Sequence, residues 1–141
     1  MEQPAGNKIT GNPSSHPALS VKWVEDFPDI PLNRNEAYKL RVTSKGVEIE
    51  AITETGVYRA IQTLRQLTEK KGNGIAITGC EITDWPAFRI RGFMQDVGRT
   101  YISTDELKRE IAILARYKIN VFHWHLRKIR HGACKARCSQ C

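Results

Sequence analysis

Tyr38, Leu40 and Val42 alternate with Lys39 and Arg41, and Val47, Ile49 and Ala51 alternate with Glu48 and Glu50. Thr43-Ser44-Lys45-Gly46 stands between the two runs and supplies turn chemistry. A side-chain period of two puts the apolar residues on one face, so the spacing predicts a two-stranded hairpin with one oily side. Such a hairpin is marginal by itself and needs a cover. The cover follows at once. Val57, Ala60, Ile61, Leu64 and Leu67 fall at helical spacing over about 56–70, with Thr53 or Thr55 as N-cap and Lys70-Lys71-Gly72 as the helix end. A short strand is expected over 75–77. Upstream, Val21, Trp23, Val24, Phe27 and Ile30 are broken by Pro28 and Pro31, which suits one strand and a turn. The sum is an α+β layer over 21–83, behind a flexible Gly-, Pro- and Ser-containing lead-in over 1–20.

After Thr83-Asp84-Trp85-Pro86 the pattern changes. Residues 88–95 read as a strand. Ser103 and Glu106 form a capping box, and Leu107, Ile111 and Leu114 line one face of the helix that follows, to about Tyr117. Residues 119–124 are apolar on both faces, as in a covered parallel strand. Strand, helix and strand with a short crossover make a right-handed βαβ unit.

A length of 141 residues suits about one domain, and 40% hydrophobic with 26% charged residues is an ordinary globular balance. No apolar run approaches the roughly 18 residues of a membrane span, and no signal peptide is visible, so the localisation stays open. The net charge of +7 is concentrated at one end. Arg127, Lys128, Arg130, Lys135 and Arg137 crowd 127–141 without an acid, and the remainder is near neutral. A nucleic-acid interface would spread its basic residues over a folded face, so no nucleic-acid partner is expected. Cys80 stands alone in an apolar stretch and suits a small buried residue.

The run Asp84-Trp85-Pro86-Ala87-Phe88, then Arg91-Gly92, then Asp96-Val97-Gly98-Arg99, resembles the opening of the catalytic barrel of glycoside hydrolase family 20, the β-N-acetylhexosaminidases. Lys118-Ile119-Asn120-Val121-Phe122-His123-Trp124-His125-Leu126 resembles the continuation of that barrel. Gly56-Val57-Tyr58-Arg59-Ala60 with Gln62-Thr63-Leu64 resembles the helix of the family's N-terminal α+β domain. The resemblance covers about 36–126. It implies an α+β accessory domain followed by the start of a (β/α)8 TIM barrel, truncated after the second strand, with 84–126 as the first βαβ unit. Such a barrel takes about 250 residues.

The same resemblance implies the chemistry. Terminal N-acetylhexosamine is removed from a glycan, and the substrate's own 2-acetamido group is the nucleophile. An Asp orients that amide and a Glu serves as acid and then base, which departs from the usual two-carboxylate scheme. No Asp or Glu follows Glu110 in this sequence, so no catalytic residue is expected in this chain, which alone would be inactive; no cofactor is implied. Arg99 matches the Arg that grips ring hydroxyls of the terminal sugar, a task suited to a planar fork of donors. Asp96, His123 and His125 are expected to support the site. His123 and His125 share one side of their strand by period two, but no third ligand has a useful spacing, so no metal is expected there. Arg91 is expected to be structural. The alternative function is a non-catalytic carbohydrate-binding or interaction module.

The likeness stops at Leu126. An aberrant basic, Cys-rich tail over 127–141 follows, and restoring one base before one codon choice for it regenerates a family-like Thr-Glu-Asn-Thr-Ala-Trp-Arg-Leu. The expectation is a shifted reading frame. The competing reading is a zinc knuckle from His131, Cys134, Cys138 and Cys141, which lacks a hairpin or helix to hold the ligands and would underlie a zinc-dependent nucleic-acid binder. An open βαβ piece leaves strand edges and apolar faces uncovered, so aggregation or partial disorder is expected beyond about residue 84.

Overall fold

The computed structural model describes residues 8–10, 18–98 and 101–126. The hairpin forms as β3 (Tyr38–Thr43) and β4 (Gly46–Ala51), antiparallel, with Leu40 opposite Ile49 and Val42 opposite Val47. Tyr38, Leu40, Val42, Val47, Ile49 and Ala51 are buried on one face. The other face carries a lattice of exposed ion pairs, Lys22–Glu50 at 2.7 Å, Arg41–Glu48 at 3.8 Å and Arg41–Glu81 at 3.0 Å. Helix α1 (Glu54–Leu67) lies on the apolar face through Ala60, with Val57, Ile61 and Leu64 packed beside it. Its N-cap is Thr53, whose hydroxyl accepts from the Gly56 amide.

Two strands, β2 (Ala18–Trp23) and β7 (Cys80–Asp84), extend this sheet to the order β2-β4-β3-β7. Strand β2 pairs in parallel with β4. It begins inside the stretch expected to be a flexible lead-in, as does β1 (Lys8–Thr10), which pairs with a second sheet. Gly46 permits the β2 junction. It has φ of 150°, and a Cβ there would lie 2.4 Å from the Ala18 carbonyl oxygen. Strand β7 pairs antiparallel with β3 and was not expected from the sequence. A smaller cluster of Phe27, Ile30 and Ala37, with Trp85 against it, closes one end of the layer.

The helix stops earlier than its charge pattern suggests. Thr68 is extended at φ −80° and ψ 121°, and its hydroxyl donates to the Leu64 carbonyl at 2.9 Å. Lys70 and Lys71 therefore belong to β5 (Thr68–Lys71), which turns through Gly72 at φ 58° into β6 (Gly74–Thr78). The three strands β1, β6 and β5 form an antiparallel sheet of their own.

Gly56 sets how closely α1 approaches the layer. A Cβ at Gly56 would meet the Ala37 carbonyl oxygen at 2.5 Å and the Ala51 Cβ at 3.2 Å. Gly56→Ala gains about 1 kcal/mol of helix propensity but forces backbone apart, at roughly 1–3 kcal/mol. The expected outcome is net loss of stability, read as a lower urea midpoint; an unchanged or raised midpoint would refute the close-packing argument.

The second half is a parallel pair, β8 (Gly92–Asp96) and β9 (Val121–His125), joined through α2 (Thr104–Arg116). The capping box forms as expected, with Ser103 and Glu106 reciprocating. The first strand is shorter than the 88–95 expected, because Phe88 and Ile90 lie exposed in a linker. Gly92 pairs with Val121 and Asp96 with His125. Phe93 and Phe122 stack at 6.3 Å, and Phe93 shares a groove with Ile113 and Leu114 of α2. By period two, Met94, Asp96, His123 and His125 occupy the opposite face. Trp124 lies on the Phe face and is half-exposed rather than buried. Much of the apolar surface of this βαβ unit is open: Met94 of β8 is 60% and Ile113 of α2 53% exposed.

Candidate functional site

The C-terminal ends of β8 and β9 bring three of the expected residues together. Asp96 and His125 are register partners, and His123 stands two residues back on the same face. The two imidazole rings are 6.4 Å apart and inclined at 41°. The Val97 amide donates to the His125 carbonyl at 3.2 Å, which carries the pairing one residue past the strand. Asp96 makes a tight turn, its Oδ1 accepting from the Gly98 amide at 2.7 Å. The side-chain contact that Asp96 makes is thus to its own turn. Arg99, the expected sugar-binding residue, lies outside the described residues, as do His131, Cys134, Cys138 and Cys141. Among the described residues no three His, Cys, Asp or Glu side chains converge as a metal set. Cys80 is a half-buried free thiol whose pKa burial raises, the opposite of an activated nucleophile.

A second constellation joins the two halves. A 3-10 turn, Arg34–Glu36, presents Glu36 to Arg59 of α1 at 3.0 Å and to the guanidinium of Arg91. Arg91 also donates to the carbonyls of Lys118 at 2.8 Å and Phe88 at 2.7 Å, so its expected structural role is what the geometry displays. In the same cleft, Lys118 Nζ holds Asp84 at 2.5 Å and the Tyr38 hydroxyl at 2.8 Å, while Tyr38 donates to Asp84 at 2.9 Å. Asp84 is there because β7 pairs it with Tyr38 on the inner face of the sheet. Lys118 and Asn33, the two non-glycine residues with positive φ among those described, both touch this junction; Asn33 Nδ2 donates to the Pro86 carbonyl at 2.7 Å.

Burial pushes the Glu36 carboxyl up, but hydrogen bonds from Arg91 and Arg59 and their charges outweigh it and leave the pKa below normal. Asp84 behaves alike: burial raises it, Lys118 and Tyr38 more than offset that, and the net direction is down. Both carboxyls thus have a lower pKa folded than unfolded. Their contribution is complete above the unfolded values near pH 4 and is lost as pH falls through the depressed folded ones. Acidification should therefore free 84–91 before it opens the apolar sheet core. Amide exchange followed against pH, with intrinsic rates subtracted, checks this; loss of 84–91 and 40–51 at one pH would contradict it.

Sequence reasoning gave none of these junction residues a site role. Yet Asp84, Arg91, Lys118, Asn120 and Arg59 all stand in the runs that carry the resemblance, so the available signal was those motif letters themselves.

Comparison with known proteins matches residues 4–85 to glycosyl hydrolase family 20, domain 2, and residues 88–129 to the catalytic domain of the same family. The chain belongs to glycoside hydrolase family 20. The β-hexosaminidase of Porphyromonas gingivalis is 40% identical over 132 residues, covering 89% of this chain and 15% of its own length. The β-N-acetylhexosaminidase of Cellulomonas fimi is 39% identical over 110 residues, covering 77% and 22%. The family 20 exo-β-N-acetylglucosaminidase of Vibrio harveyi, solved with N-acetylglucosamine, superposes with a TM-score of 0.66 at 37% identity, covering 77% of this chain and 16% of its own. The chain thus spans between about a seventh and about a fifth of the length of these family 20 relatives. It shares their small α+β domain, and within the described residues no helix is long and apolar enough to cross a membrane.

Proposed function

We propose that this chain supplies the accessory domain and the opening βαβ unit of the (β/α)8 barrel of a β-N-acetylhexosaminidase, an enzyme that removes terminal N-acetylhexosamine from glycans. The observation that carries the reading is the parallel β8–β9 pair. It places Asp96 and His125 together at the C-terminal ends of two neighbouring strands, with the Phe93–Phe122 stack turned toward α2. Barrel enzymes build their sites at that end of their strands. The names of the relatives support the same chemistry. In this assignment 21–83 is the accessory domain and 84–126 the start of the barrel. Arg99 grips ring hydroxyls of the terminal sugar, and Asp96, His123 and His125 support the site wall. The orienting Asp and the acid-base Glu are not supplied by these 141 residues.

The test has two arms on one aryl N-acetylglucosaminide. The chain as it stands should give no turnover above background. Residues 18–126, grafted in place of the matched segment of the Cellulomonas fimi enzyme, should give an active hydrolase. Turnover by the clean chain refutes the missing-pair argument. A folded but inactive graft refutes the assignment to the barrel.

A further inference from the structure

The Glu36 carboxylate is the meeting point of four stretches of chain. Oε2 accepts from Arg59 Nε of α1 and from Arg91 Nη2, just before β8. Oε1 accepts from Arg91 Nη1 at 3.4 Å and from Asn120 Nδ2 at 3.3 Å, just before β9. The side chain is 17% exposed. Arg91 and Asn120 in turn hold one another. The Arg91 amide donates to Asn120 Oδ1 at 2.8 Å, and the Asn120 and Val121 amides donate to the Arg91 carbonyl at 3.0 and 3.2 Å. Gly92 opposite Val121, the first register pair of the parallel strands, comes directly after.

We infer that Glu36 is a positioning residue: through Arg91 and Asn120 it pins the start of the β8–β9 pairing, so that the α+β domain sets the register of the parallel strands. Among the described residues this sheet holds these two strands and no third. Two strands alone are marginal, and register is weakly specified where neither face is well buried. Gly92, Phe93, Met94, Val121 and His123 are all exposed. A slip of one residue would carry Asp96 or the two histidines to the opposite face. The importance of that for a sugar site rests on the function proposed above; the pinning itself does not.

The test is amide exchange on the whole chain, which reads pairing without using activity. Asn120→Asp keeps the acceptor for the Arg91 amide but sets a carboxylate against Glu36, and it also removes the Nδ2 donor to the Arg89 carbonyl at 2.8 Å. It should speed exchange over 92–96 and 121–125 by roughly ten-fold or more, the scale of a lost charge-assisted hydrogen bond, and leave 38–51 untouched. The double variant Glu36→Gln with Asn120→Asp restores an amide facing a carboxylate with the roles reversed, and leaves Arg91 an acid to bind. It should recover the part of the protection lost to the clash with Glu36, while the part due to the Arg89 carbonyl stays lost. Glu50→Gln, on the exposed outer face, is the control and should change neither region. The inference is overturned if Asn120→Asp changes nothing or loosens 38–51 equally. It is also overturned if the double variant fails to recover that part, or if 92–96 and 121–125 are already unprotected in the parent chain.

Discussion

Ile49→Ala should destabilise the α+β domain strongly and lower its melting temperature by roughly ten degrees or more. Ile49 is fully buried, opposite Leu40 in the hairpin and within the cluster that Ala60 of α1 closes. Truncating such a side chain costs about 2–5 kcal/mol, the spread depending on how far the walls collapse. The whole stability of a domain this size is roughly 5–15 kcal/mol. At roughly 4–8 °C per kcal/mol the melting temperature should fall by ten degrees or more. Ile75→Ala is the matched control: Ile75 is 66% exposed on β6, and exposed changes of this kind stay within about 0.5 kcal/mol. Thermal unfolding of both variants decides it. Equal shifts would mean that the α1-covered face is not the core.

Arg99→Lys, measured in the grafted enzyme, should lower kcat/KM by roughly ten- to a hundred-fold. Losing a charged donor to a hydroxyl typically costs about 1.5–3 kcal/mol. Lys keeps the charge but not the planar fork, so charge alone should not rescue the variant. If the contact strengthens in the transition state, kcat falls along with KM rising. Arg89→Lys is the control. Arg89 is exposed, and it gives the junction its carbonyl, which accepts from Asn120 Nδ2 at 2.8 Å, so its side chain should be replaceable. Wild-type kcat/KM in a folded Arg99→Lys graft would end the sugar-binding role.

The elements that local rules define are legible in the sequence alone. Period-two alternation in 38–51 and the helical stripe from Val57 to Leu67 follow from side-chain geometry along one segment, as does the Ser103–Glu106 capping box. Their burial then follows, because a single apolar face has one way to leave water. Strand β7 was not legible. Cys80-Glu81-Ile82-Thr83 alternates, but over only four residues, too few to announce a strand, and it is one because β3 offered an open edge. Lys70 and Lys71 misled for a related reason. Basic residues suit a helix end, yet they also suit an exposed strand, and pairing with Gly74 and Ile75 decided between the two.

The candidate site divides along the same line. The sequence by itself determined that Asp96, His123 and His125 stand near the ends of two strands and that both histidines share a face, since both statements need only a period. It also carried the letters Asp84, Arg91, Lys118 and Asn120 without their meaning. Tertiary structure alone decided that meaning. Glu36 and Arg91 are 55 positions apart, and Tyr38 and Lys118 are 80 apart. No local pattern specifies contacts of that span. They arise because a half-buried charge must find its partner wherever the packed layers bring one within reach.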